Sequence, residues 1–489
     1  MIRKILSAAA TATCVVGLGL ALTGASAGPP DDVPTYNGQV GALLIENCAS
    51  CHRPNQIGPM SLLSYQEARR WAHAIKSKVV SREMPPWPAD PSYGRFSNDI
   101  SLSDEEIATI VAWVDGGVPE GEGDSPAVPQ YSADGWSHPS GRDPDIVLRF
   151  PIEWQIPAEG ETPNFNLVTP LGLDEGVRVE ATEVRPGNLA ATHHITTRLI
   201  NIPPGMQVAT APAWPGGPVV DYVMVPDPDF DPASAPANAP PSSEEQGASE
   251  GFGAYIPGVG ARVTPEGRSR YIRGDLFTHI LWNLHYQATG LPESARPEIG
   301  IWLASGDDEG VPSRERGLGL NEVTSEGKQL IAPPPRPREA RAPGEFTQVG
   351  QGLNPLLDPI PPHDADWTVT GIGALQNDAY IQSLFVHAHL RGKDFTFLLT
   401  RPDGTEEILL RVPEYRFDWQ YTYELAEPIF APAGSTVKMI ARYDNSRENR
   451  LNPAPHKETY WSEQSWDDMF LTTVNYTLAS EGGARAVSP

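Results

Sequence analysis

Two periodicities divide the chain. Up to about residue 117, apolar positions recur at helical spacing: Val40, Leu43 and Leu44, then Ala68, Trp71 and Ile75, then Ile107, Ile110, Val111 and Val114. Ser64 with Glu67, and Ser103 with Glu106, head the second and third runs with the spacing of a capping box, in which hydroxyl and carboxylate satisfy backbone N–H groups reciprocally. Gly116-Gly117 stops the third run. Beyond residue 145 the apolar positions fall in short β-type runs between Pro- and Gly-rich turns: Asp145–Phe150, Gly176–Glu183, His194–Ile200, Phe277–Tyr286, Ser383–Leu390, Phe395–Leu399 and Thr436–Tyr443. The expectation is a multidomain chain. A small all-α unit over 35–117 precedes two all-β units, antiparallel and jelly-roll-like β-sandwiches, over 145–303 and 347–480. Residues 118–144 and 304–346, the latter with Pro333-Pro334-Pro335, are expected as linkers, and 225–250 as a surface insertion.

The start of the chain changes the picture. Arg3 and Lys4, an apolar run from Ala8 to Leu22, and Ala25-Ser26-Ala27 form the pattern of a cleaved export signal over 1–27. The expected location is therefore periplasmic or secreted, with no membrane span in the mature chain. Loss of Arg3 and Lys4 takes the formal net charge from −26 to about −28, which argues against nucleic-acid partners. Only Cys48 and Cys51 remain in the mature chain, so the fold is expected to be disulfide-free.

Those two cysteines carry chemistry. Cys48-Ala49-Ser50-Cys51-His52 is the c-type haem attachment pattern: two thiols join the vinyl groups and the next imidazole ligates the iron. Covalent haem c is the expected cofactor, held by Cys48, Cys51 and His52. The segment from Cys48 to Val114 resembles a small class I cytochrome c, and in that family a Met-Pro element ahead of the last helix supplies the sixth ligand. Met84 in Met84-Pro85-Pro86 fits that place, with Met60 and then His73 as alternatives.

Five of the eleven histidines lie in three β-type segments: His193-His194, His285, and His387-Ala388-His389. Alternate strand residues share a face, so His387 and His389 can present two imidazoles to one metal. Neighbours such as His193 and His194 reach one metal only near a strand end or edge. Imidazole sets without thiolate suit zinc, copper or iron. His138, His279, His363 and His456 are expected as structural or surface residues.

From about Asp145 to Leu478 the chain resembles the copper type II, ascorbate-dependent monooxygenases, the family of peptidylglycine α-hydroxylating and dopamine β-monooxygenases. The matching elements are His193-His194, Leu284-His285-Tyr286, His387-x-His389-x-x-Gly392-Lys393, and Met469 in Trp466-Asp467-Asp468-Met469. The resemblance implies two copper ions: one on His193, His194 and His285 for electron transfer, and one on His387, His389 and Met469 as the catalytic group. It further implies O2 and a small organic molecule as substrates, hydroxylation of a C–H bond, an external one-electron donor such as ascorbate or a redox protein, and an open cleft between the sites. The chain departs from the amidating branch at Phe385, where that branch has Arg, and at Leu471 and Thr473, which replace polar contacts; a neutral or apolar substrate fits these residues better. The fused haem is expected to deliver electrons to the His193/His194/His285 site. The alternatives are a non-catalytic electron-transfer or copper-binding protein, and an oxidase or reductase of a small inorganic species.

Overall fold

The structure is a computed structural model that describes residues 33–481, apart from 55, 130–134, 161–162, 174, 215, 232–248, 258, 265–267, 275, 305–310, 314–315, 320–321, 326–327, 330–357 and 462–464. The expected signal segment and most of the 225–250 insertion lie outside the described residues. Among the described residues no helix is long and apolar enough to cross a membrane.

The N-terminal unit has three helices, α1 (Gly41–Cys48), α2 (Tyr65–Val80) and α3 (Asp104–Asp115), with a π turn over Tyr36–Val40 leading into α1. Ser64 accepts from the Glu67 N–H at the head of α2, and Ser103 with Glu106 forms a complete capping box on α3. Both helices therefore start where their caps dictate. The core gathers Tyr36, Val40, Leu44, Ala68, Ala72, Ile75, Ile110, Trp113 and Val114. Trp113 is fully buried, and its Nε1 donates to the Pro119 carbonyl at 3.0 Å.

Two β-units follow, each with one core closed between two antiparallel sheets. The main strands of the first are β1 (Ile146–Arg149), β2 (Phe165–Pro170), β3 (Val177–Arg185), β4 (Thr192–Ile200), β5 (Ser249–Tyr255), β6 (Arg268–Ile272), β7 (His279–Tyr286) and β8 (Glu298–Leu303). One sheet runs β2-β7-β4-β5 and the other β1-β8-β3-β6. Leu167, Ile195, Phe252 and Trp282 from the first sheet share a core with Val184, Ile272 and Ile299 from the second. In the second unit the strands are β9 (Trp367–Ala374), β10 (Ala379–His387), β11 (Gly392–Thr400), β12 (Glu406–Val412), β13 (Thr422–Ala431), β14 (Thr436–Tyr443) and β15 (Leu471–Leu478). Here β15-β10-β13 faces β9-β14-β11-β12 across a core that includes Leu384, Tyr423, Phe397, Val437 and Val474.

The expected linkers need correction. Within 304–346, Arg316–Gly317 pairs with β15, Glu322–Ser325 with β9, and Val311–Ser313 in parallel with β6. These edge segments carry no apolar alternation because backbone pairing holds them in place. Within 118–144, Trp136 is buried edge-on against Trp302, with Arg185 over its ring, so the end of that stretch belongs to the first sandwich.

Trp113→Ala should destabilise the N-terminal unit by about 3–5 kcal/mol, the cost of emptying a core aromatic site. Thermal unfolding followed at the haem absorbance checks this.

Candidate functional site

The N-terminal unit packs on both sandwiches, and a cavity of about 960 Å³ lies where the three meet. That is the upper end of the ~300–1,000 Å³ range for small-molecule and cofactor sites. Cys48, Cys51, His52, Met60 and Met84 line it from the helical unit, Thr192, His193 and Ala254 from the first sandwich, and Trp419, Tyr421 and Glu424 from the second.

Within this cavity the His52 Nδ1–H donates to the Met60 carbonyl at 3.3 Å. This fixes the ring and leaves Nε2 as a ligand atom. Burial lowers the His52 pKa, holding the imidazole neutral. Burial pushes the Cys48 thiol up to about 12 and raises Cys51 as well, and neither cysteine is in a disulfide. Two free thiols and a neutral imidazole beside a cofactor-sized space fit a covalently attached haem. Met60 and Met84 both line the cavity, Met60 with its carbonyl on His52 Nδ1 and Met84 from the segment beyond α2. His73 is exposed on α2.

The second part of the site starts at an irregularity. On the β4–β7 ladder His194 pairs with His285, but the next pair is Thr192 with Tyr286. His193 is thus the surplus residue of a β-bulge, which lets two neighbours on one strand turn towards one point. A turn feeds this bulge: Asn188 Oδ1 accepts from the Ala190 and Ala191 N–H groups at 3.1 and 3.0 Å, and its carbonyl accepts from the Thr192 hydroxyl. Nitrogen atoms of His193, His194 and His285 all lie within 4.8 Å of one another, close enough for one metal ion.

His387 ends β10, and His389 follows in the turn to β11, with ring centroids 5.1 Å apart. Gln420 fixes the first ring: its Nε2 donates to the Phe417 carbonyl, so its Oε1 faces His387 Nδ1–H at 2.5 Å. Nε2 of His387 is thereby left as the ligand atom. His389 Nδ1 is buried with no hydrogen-bond partner. His387 pairs with Leu471 at the start of antiparallel β15, two residues after Met469, and the backbone N–H groups of His389 and Met469 meet at one carboxylate. The buried Asp468 carboxylate locks this corner by accepting from the backbone N–H groups of His389, Met469 and Arg391. The Arg391 guanidinium donates to Asn445 and to the Trp466 carbonyl.

The two histidine sets meet. Ring centroids of His194 and His387 are 6.2 Å apart, and Phe417 lies stacked on His193 at 4.5 Å and edge-on to His389 at 6.0 Å. The expected open cleft between the sets is absent, because the bulged end of β4 and the end of β10 pack directly against each other. Burial lowers all five imidazoles. His193 and His387 fall to about 4 and His285 to about 3, while His194 and His389 lie well below their ordinary value, helped by the neighbouring rings. Each offers a lone pair at neutral pH. Five neutral imidazoles, one of them with an orphaned nitrogen, suit a first-row transition metal such as zinc, copper or iron.

The remaining described histidines lie apart from these sets. His138 stacks on Trp302 and meets Glu180, His279 bonds the Thr278 hydroxyl, and His363 and His456 are exposed. Sequence reasoning passed over Phe417, Gln420, Arg391 and Asp468. Only Asp468 carried a signal, as the residue beside Met469.

Residues 39–117 match the cytochrome c family, and that part of the chain is a cytochrome c domain suited to haem-based electron transfer. No curated protein matches the chain. Among solved structures, an allantoicase shares 11% identity over 61% of this chain and 81% of its own, with a TM-score of 0.15. A xanthan lyase from Paenibacillus shares 10% over 74% of this chain and 28% of its own, with a TM-score of 0.16. Scores this low carry no argument about fold or activity.

Copper content per haem should be two in the reconstituted protein and fall to about one in His193→Ala and in His387→Ala. Metal analysis of the three purified proteins checks this, and a content of one or none in all three would remove the two-site assignment.

Proposed function

We propose that this chain is an exported copper-dependent monooxygenase that hydroxylates a C–H bond of a small neutral or apolar organic molecule, with electrons entering through its own haem. One observation carries the reading: His193 belongs both to the three-imidazole set and to the wall of the cavity that holds the haem-attachment residues. The residues that would carry electrons in and those that would use them share a side chain.

Cys48 and Cys51 would anchor the haem, His52 would ligate it from one side, and Met84 from the other, the place that a Met-Pro element ahead of the last helix takes in the cytochrome c family. His193, His194 and His285 would hold one copper, and His387, His389 and Met469 the other. Two coppers would supply the chemistry by which one atom of O2 enters a C–H bond and the other leaves as water, with two electrons from the donor side and two protons, and the thioether would favour the reduced state of its copper. The chain's residues do the rest. Gln420 keeps His387 in the tautomer with a free Nε2, and Asp468 holds His389 and Met469 at one corner. Phe385 stacks on His387 at 6.3 Å, with Leu471 opposite His387 and Thr473 opposite Phe385. That half-buried strip offers methyl and ring surface and no charge to a substrate. The alternation of consecutive strands between facing sheets, as in β9, β10 and β11, supports the jelly-roll-like reading of the sandwiches.

Rapid mixing of the fully reduced, copper-loaded protein with O2 should oxidise the haem, and removal of copper or His193→Ala should slow that oxidation at least tenfold. A haem oxidised equally fast without copper would favour the non-catalytic electron-transfer reading. A haem that stays reduced would overturn haem-to-copper delivery.

A further inference from the structure

The segment that follows Met84 leaves the helical unit. Trp87, Ala89, Phe96 and Ile100 pack into the core of the second sandwich, and none of them belongs to the core of the cytochrome c domain. Trp87 meets Tyr423 at 5.1 Å, Tyr421 at 5.3 Å and Phe96 at 6.1 Å between ring centroids. The backbone is stitched to the same sandwich. Phe96 bridges Leu425, Ser97 N–H donates to the Glu424 carbonyl at 2.8 Å, Ala426 N–H to Arg95 at 2.8 Å, and Asp90 N–H to Arg411 at 2.8 Å. Asn98 takes the Glu424 N–H and donates to the Thr422 carbonyl. Gly94, at φ +70°, lies so close to β12 that an added Cβ would stand 2.5 Å from the Leu409 carbonyl oxygen. Residues 85–100 are in effect an extra edge element on β13.

On its other side Met84 is tied to the cytochrome domain by its N–H on the Lys78 carbonyl at 3.2 Å. The methionine is therefore slung between two domains, three residues from Trp87. A thioether ligand holds only if its chain is kept at bonding distance, and its presence raises the haem potential. We infer that the second sandwich, through Trp87 and the strap 85–100, positions Met84, so that the haem potential depends on the docking of the cytochrome domain against the β-unit. Trp87 is a positioning residue on this view, acting through the loop it anchors. The inference rests on the reading of Met84 as the sixth ligand, and it is independent of whether copper binds.

The test uses the full-length haem-loaded protein. Met84→Ala is the reference: it should abolish the methionine-to-iron charge-transfer band of the ferric haem and lower the midpoint potential. Trp87→Ala should lose most of that band and shift the potential in the same direction, Gly94→Ala should do likewise, and Trp87→Phe should restore both. Circular dichroism and thermal unfolding of the β-units serve as controls that the second sandwich stays folded. A Trp87→Ala protein that is folded, with the wild-type band and potential, would overturn the inference while leaving Met84 as ligand. A Met84→Ala protein with an unchanged band would overturn the ligand assignment and the inference together. If a variant unfolds, Phe96→Leu, which trims the same contact, takes its place with the same expected band loss.

Discussion

The centre of this protein is governed by the cost of keeping imidazoles out of water. Burial favours the neutral imidazole and penalises a ring nitrogen left without a hydrogen bond or a metal. Three buried rings, His194, His387 and His389, and two half-buried ones, His193 and His285, adjoin one another here, and burial lowers the pKa of each. Little else in the neighbourhood is left loose. Gln420 is turned by the Phe417 carbonyl so that it can accept from His387, and Asp468 is surrounded by three N–H groups and a guanidinium. Burial still pushes the Asp468 carboxyl up to about 6, a measure of how dry this corner is. Such a frame fixes the orientation of the candidate ligand rings.

The haem side obeys a different constraint. A small cytochrome domain usually exchanges electrons through an exposed edge. Here that space opens on residues of both sandwiches, among them His193 and Tyr421. The domain is therefore a built-in part of a three-body arrangement, joined by the Arg262–Glu424 pair between the sandwiches and by the strap beneath it. Fixed distances suit electron transfer within one molecule better than a swinging tether would.

Much of this was legible in the chain. The Cys48-to-His52 motif, the two capped helices and the strand runs depend on local chemistry, and local chemistry is written in adjacent residues. The same holds for the ligand candidates, since imidazoles paired at short spacing are rare by chance. What stayed hidden was relational. Sequence spacing could say that His193 and His194 needed a strand end or edge, but not that a bulge opposite Tyr286 would supply the turn. Nor could it reveal that His194 and His387, nearly two hundred residues apart, face each other. Gln420 and Phe417 sit in no motif, and their roles exist only once two sheets have packed. The linker boundaries failed for a related reason: edge strands such as Glu322–Ser325 are defined by their partner and carry no pattern of their own.

The bulge at His193 makes the candidate metal site a matter of counting. A regular ladder alternates its side chains, so a single residue too many or too few exchanges the two faces of the strand. Here the surplus residue is itself a ligand candidate, and Ile195 onward stays in phase with the core only because that residue is accommodated outside the ladder. A change of residue type here would remove one imidazole, whereas a change of length would shift the register of the residues around it. The strand can vary in composition over its outer face, but at this turn its length is held fixed from both directions, by the apolar core behind it and by the histidines in front.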